Sequence, residues 1–147
     1  MKQFLLSLVL FLSFVSLLAN SELEKKQLRS KVEEYFEVWS MADIDSYGKL
    51  FHESAVIFYR DKYSGKIEKE SLKLFLENQK RAHEISTQKM SEIPIEIKIY
   101  LHGKNTAQVT VYWKLQKGKE IIYGWDYFTW IKVAEEWKIL TLFFYSE

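Results

Sequence analysis

The 147-residue chain contains no cysteine. That excludes disulfides, thiolate metal sites, a cysteine nucleophile and a lipidated N-terminal cysteine. Net charge is almost absent too: 21 basic and 20 acidic residues are interspersed and leave +1. Without a basic stripe or an acidic tail, nucleic acid is not an expected partner. The sequence has no G-x-S-x-G, no glycine-rich phosphate loop and no H-E-x-x-H. Its three histidines, His52, His83 and His102, have no paired spacing, so neither a metal nor a cofactor is expected. Repeats, low-complexity tracts and linkers are also missing, which leaves one domain after the N-terminal segment.

What the chain has in plenty is aromatic surface. Ten phenylalanines, nine tyrosines and five tryptophans stand in a composition that is 48% apolar. This is enough for a globular domain held by its own core, with ring surface to spare. Concave ligand sites are commonly lined with such rings.

The N-terminus follows a different logic. Lys2 is the only charge before Glu22, and the sixteen residues from Phe4 to Ala19 are apolar apart from serines. A membrane span needs about 20 residues. A positive start, a short apolar run and a final small residue describe a secretory signal. We place cleavage after Ala19, although Leu17 is larger than the residue favoured three positions before the cut. The expected products are a signal over 1–19 and a domain over 20–147 that is periplasmic or secreted and keeps no stable membrane span. An uncleaved anchor is the alternative.

Leu28, Val32, Tyr35, Phe36 and Trp39 recur at helical spacing and predict a first helix over roughly 22–41. Asp43 or Asp45 can cap a second, short helix that carries Ile44, Tyr47, Leu50 and Phe51. Residues 55–59 read as a short buried strand, 60–66 as a loop, and 68–84 as a third helix. The period then falls to 2. Ile93, Ile95, Ile97, Ile99 and Leu101 mark one strand, and Ala107, Val109, Val111, Trp113 and Leu115 the next. Long strands over 120–133 and 137–145 follow. This order implies an α+β fold, with N-terminal helices packed on a curved antiparallel sheet. The last two strands are apolar on both faces, which implies that a second copy covers the sheet in a homodimer.

The stretch "YGWDYFTWIK" (123–132) sets Asp126 among five rings. A carboxylate there is desolvated, which raises its pKa and suits it to acid or base work. The plainer reading is a structural acceptor for a turn, a tyrosine or Lys138. Gly124 hints at a bend or bulge nearby. The even residues Asp126, Phe128 and Trp130 are read as the inward set, because Thr129 suits an outer position.

Two stretches, "YFEVWSMADIDSYGKLFHESAVIFY" and "DYFTWIKVAEEWKILTLFFYSE", resemble the nuclear transport factor 2-like superfamily, a cystatin-like cone. Within it the chain is most similar to the putative lumazine-binding group, from about residue 24 onward. The family usually carries Asp-Gly in its final turn, where this chain has Val133-Ala134-Glu135-Glu136. His52 falls where the family has a histidine ending the second helix, as a cap. The resemblance implies a pocket between sheet and helices. Measured against the enzymatic relative ketosteroid isomerase, Tyr35 matches the oxyanion tyrosine. Tyr59 stands where the base belongs, and ungapped counting puts Thr129, not Asp126, at the second acid.

These readings converge on an exported domain that binds a small apolar or aromatic molecule. The expected pocket residues are Tyr35, Trp39, Tyr59, Trp113, Asp126, Phe128 and Trp130. One alternative is an interaction module with a vestigial pocket. The other is a cofactor-independent isomerase, hydratase or cyclase that uses Asp126 and Tyr35.

Overall fold

The structure, a computed structural model, describes the backbone of residues 2–147 and the side chains of residues 21–147. The expected signal lies outside the residues whose side chains are described. Among the described residues no helix is long and apolar enough to cross a membrane. In chain order the elements are α1 (Lys2–Ser40), α2 (Ile44–Lys49), β1 (Phe51–Arg60), β2 (Ile67–Ser71), α3 (Leu72–Ile85), β3 (Met90–His102), β4 (Thr106–Lys117), β5 (Glu120–Val133) and β6 (Glu136–Ser146).

The apolar stripe of α1 does what its spacing predicts. Leu28, Val32, Tyr35, Phe36 and Trp39 are all buried, and each contributes roughly 1.5–3 kcal/mol of burial. The helix ends in a Schellman turn: the Asp43 amide donates to Val38 O at 3.0 Å and the Ala42 amide to Trp39 O at 2.9 Å. Asp43 then caps α2, its Oδ1 accepting from the Ser46 amide at 3.0 Å. This tight corner aims Tyr47, the buried residue of α2, back at α1.

The six strands form one open, curved sheet in the order β2-β1-β6-β5-β4-β3. It is mixed rather than wholly antiparallel, because β1 runs parallel to β6 while the other neighbours are antiparallel. The helices lie on one face. Three expectations are corrected here. Phe51 belongs to β1 and not to the second helix, since its ring reaches the same inner layer from either conformation. His52 is likewise a strand residue, its Nδ1 accepting from the Ser54 amide at 3.2 Å, and caps no helix. Residues 67–71 form edge strand β2 ahead of α3. Its sequence, Ile-Glu-Lys-Glu-Ser, has no apolar alternation to reveal it.

The β5–β6 hairpin turns on Ala134 and Glu135, with φ of 48° and 68°. This is a two-residue turn of the kind that favours Asn-Gly, made here without glycine. Beside it, Glu24 accepts from Lys132 Nζ at 2.7 Å and from Trp137 Nε1 at 3.2 Å. This part of α1 is thereby tied to the last hairpin.

Candidate functional site

The curved sheet and the helices enclose a cavity of about 460 Å³. Tyr35 and Trp39 reach it from α1, Tyr47 from α2, Phe75 from α3, Trp113 from β4 and Asp126 from β5. Asp126 is the one charged residue that is fully buried among the described residues, at 3% exposure. Trp113 Nε1 donates to its Oδ1 at 2.7 Å. Tyr35 and Tyr47 line the same cavity, their ring centres 4.8 Å apart.

Burial pushes the Asp126 carboxyl up to about 7, against the pull of the bond from Trp113. A second acid, Glu92, lines the same cavity. Burial, and then the charge of Asp126, hold Glu92 well above the usual carboxylate range. Both carboxyls of the cavity are thus held above the ordinary carboxylate range. Burial likewise raises the Tyr35 and Tyr47 hydroxyls, so both remain donors.

Gly124 makes this arrangement possible, though not by bending the strand. It is regularly paired, with Trp113 on β4 and Ser146 on β6. A Cβ at this position would run into the indole of Trp113 and the carbonyl oxygen of Tyr145. Glycine lets the indole lie across β5 and bring its N–H to Asp126, two residues further on. The irregularity lies in β6, where Leu140 is skipped as the pairing passes from Thr129 to Trp130. Thr129, where ungapped counting from Trp137-Lys138-Ile139 lands, is half-buried and paired with Thr141.

Asp126, Phe128 and Trp130 are buried, while Tyr127 on the other face is 40% exposed. Of the seven expected pocket residues, Tyr35, Trp39, Trp113 and Asp126 line the cavity. The other three do not reach its wall. Tyr59 stacks on Phe144 with ring centres 5.8 Å apart. Phe128 stands behind Tyr35, edge to face at 5.1 Å. Trp130 is fully buried in the core.

Glu92 escaped the sequence reading for a specific reason. The alternation from Ile93 to Leu101 suggests that every odd residue points inward. The pairing slips between Pro94 and Glu96, so the parity reverses at Ile95. Ile93 and Ile95 are exposed at 46% and 52%, and Glu92 turns inward instead. Its backbone is fixed by Ser40, whose hydroxyl donates to Glu92 O at 3.0 Å and accepts from its amide at 2.8 Å. Among the described residues no three His, Asp or Glu side chains gather at metal-ligating distance. His83 packs edge-on against Trp39 at 4.5 Å.

The profile of a family described as putative lumazine-binding matches residues 23–145. The chain belongs to that family. Solved structures place this lumazine-binding-family chain in the nuclear transport factor 2-like, cystatin-like fold. A putative scytalone dehydratase from Novosphingobium aromaticivorans superposes with a TM-score of 0.71 at 18% identity, covering 88% of this chain and 87% of that one. A nuclear transport factor 2-like protein of unknown function from Shewanella baltica gives 0.64 at 16%, over 84% and 94%. A protein of unknown function with a cystatin-like fold from Nostoc punctiforme gives 0.68 at 10%, over 85% and 92%. At these identities the likeness is one of fold alone. No functionally curated protein matches the sequence.

Proposed function

We propose that the protein binds a small, largely apolar or aromatic molecule in the cavity between helices and sheet. The observation that carries this reading is the buried Asp126, held by Trp113 at the floor of a space walled by rings. Ligand sites typically measure about 300–1,000 Å³ and combine apolar walls with a few convergent polar groups. A carboxyl serving the core alone would be costly, since burying a charge without a partner charge is unfavourable. A flat heteroaromatic ring fits this chemistry, with rings such as Trp39 and Phe75 for its faces and Asp126 and Tyr35 for its polar edge. Lumazine, in the family's description, is a ring system of that type.

The test is thermal. With the protein lacking residues 1–19, a fitting ligand at 100 times its Kd stabilises the fold by about 2.7 kcal/mol. Melting temperature then rises by several degrees. A panel of lumazine and related bicyclic aromatics in which nothing shifts the melt contradicts the proposal.

A specific observation favours a second reading. A carboxyl that ionises near 7, in one cavity with a second raised acid, suits proton transfer at neutral pH. Isomerisation, hydration or cyclisation without a cofactor would use Asp126 as the acid or base and Tyr35 as the oxyanion donor. On this reading Asp126→Asn abolishes turnover while binding persists.

Export and dimerisation complete the proposal. The charge and apolar pattern of residues 1–19 supports export. The outer face of the sheet supports a dimer: Tyr112, Tyr123, Trp125, Tyr127, Phe143 and Tyr145 form a run of neighbouring rings there, with centres 4.8 to 6.2 Å apart. The expected product is a 128-residue mature chain (147 minus 19) that sediments as a dimer. Tyr127→Lys, at the middle of the run, yields monomers. An uncut chain by mass, or a wild-type monomer in the centrifuge, removes the corresponding part.

A further inference from the structure

The cavity differs between its floor and its mouth. At the floor Tyr35, Tyr47, Trp113 and Asp126 are at most 5% exposed. The mouth forms where several strands stop on one side of the sheet. Arg60 closes β1, Lys117 closes β4, Glu120 opens β5, and Lys62 lies in the loop just past β1. β1 and β6 run parallel and finish side by side, and Lys117 pairs with Glu120 across the next hairpin. Topology thus gathers three cations and one acid at a single rim.

Arg60 and Lys62 are exposed and Lys117 is half-buried. Among the described residues none of the three has a carboxylate partner within 4.0 Å. Asp61, between the first two, is engaged in its own turn, where its Oδ1 accepts from the amides of Tyr63 at 3.2 Å and Ser64 at 2.6 Å. The mouth is therefore positive and the floor acidic. An anion at the floor would face Asp126 and Glu92, while one at the mouth meets cations that no acid has neutralised.

We propose that the ligand carries an anionic group at one end, seated against Arg60, Lys62 and Lys117, with its aromatic or apolar body reaching inward to Tyr35 and Asp126. This rests on the ligand-binding reading and adds to it an orientation and a charge. Arg60 and Lys62, which water screens, mainly speed encounter. Lys117, less exposed, contributes more to holding the anion. The shared chemistry is the negative group, whether carboxylate, phosphate or sulfonate.

The experiment measures binding by calorimetry on the protein lacking residues 1–19, at low and at moderate salt. The probes are matched pairs, naphthoate and naphthylpropanoate against their neutral carboxamides, with naphthyl phosphate and naphthalenesulfonate to identify the anion preferred. At low salt the acids are expected to bind about tenfold more tightly than the amides, and salt narrows the gap. In the Arg60→Gln, Lys117→Gln double variant the preference falls to about twofold or less while amide affinity stays unchanged. Lys117→Arg, which keeps the charge, retains it. If amides bind as tightly as acids, the anionic end is wrong and the ligand-binding reading survives. If neither class binds, the ligand-binding reading falls and this inference with it.

Discussion

Gly124→Ala is expected to destabilise the protein by about 1–3 kcal/mol and to abolish ligand binding. Strain from positive φ is not the cause, because Gly124 is an ordinary strand residue. The new methyl would occupy the space taken by the Trp113 indole and the Tyr145 carbonyl oxygen. The backbone oxygen cannot move without breaking the β5–β6 ladder, so the indole must. When it moves, Asp126 loses the N–H that donates to it at 2.7 Å, and the floor of the cavity is remade. A control separates this from the general cost of replacing glycine. Gly103 has a φ of 69° and open space where a Cβ would go. Gly103→Asn, which tolerates that conformation, should change stability by only about 0.5 kcal/mol. Chemical denaturation of both variants, together with calorimetry, reads the two effects. A Gly124→Ala protein as stable and as competent in binding as wild type would show that the indole position is not fixed in this way.

The second large effect concerns pH. Asp126 ionises near 7 in the folded protein, against an ordinary value of 3.8. Its folded pKa is raised, so the unfolded chain ionises first as pH climbs and the folded state is progressively disfavoured. The loss begins near pH 4, accumulates to about pH 7 and is constant above. At about 1.36 kcal/mol per unit of pH it totals on the order of 4 kcal/mol. Asp43, Asp61 and Glu136 have lowered values, and their stabilisation is lost only at lower pH, as it falls into the ordinary carboxylate range. In the interval from pH 5 to 7 the raised Glu92 and the lowered His83 also shift stability, but in both proteins, so comparing wild type with Asp126→Asn over that interval isolates Asp126. Across it the Asp126→Asn variant should gain roughly 2 kcal/mol relative to wild type. Its amide oxygen can still accept from Trp113. Urea unfolding at pH 5, 6, 7 and 8 measures this, and parallel stability curves for the two proteins would mean that Asp126 is not desolvated.

Much of the fold was legible because the apolar period changes where the structure changes. The stripe from Leu28 to Trp39 is helical, and the limits of β5 follow directly from the turns at 117–119 and 134–135. What escaped were features that period alone does not encode. β2 exists because β1 offers an edge to pair with, and its own charged residues give no sign of it. The parallel contact of β1 with β6 joins segments about 85 residues apart. One slipped residue at Ile95 inverted the faces of β3 and hid Glu92, the second acid of the site. Asp126 was visible because an acid among five rings is anomalous in any fold. Its partner Trp113 was readable as a ring near the pocket, but its bond to Asp126 depends on the empty space above Gly124.

The Trp113 indole N–H sits on the Asp126 carboxylate and faces the cavity, so it reports on the site directly. Its proton resonance, followed during titration of the protein lacking residues 1–19 with a ligand that raises the melting temperature, is the most direct measurement. Binding in the cavity predicts a saturable shift of that resonance, with matching changes at Tyr35 and Tyr47 and none at Tyr127 on the outer face. A ligand that moves the outer-face signals and leaves the Trp113 resonance in place would contradict the account.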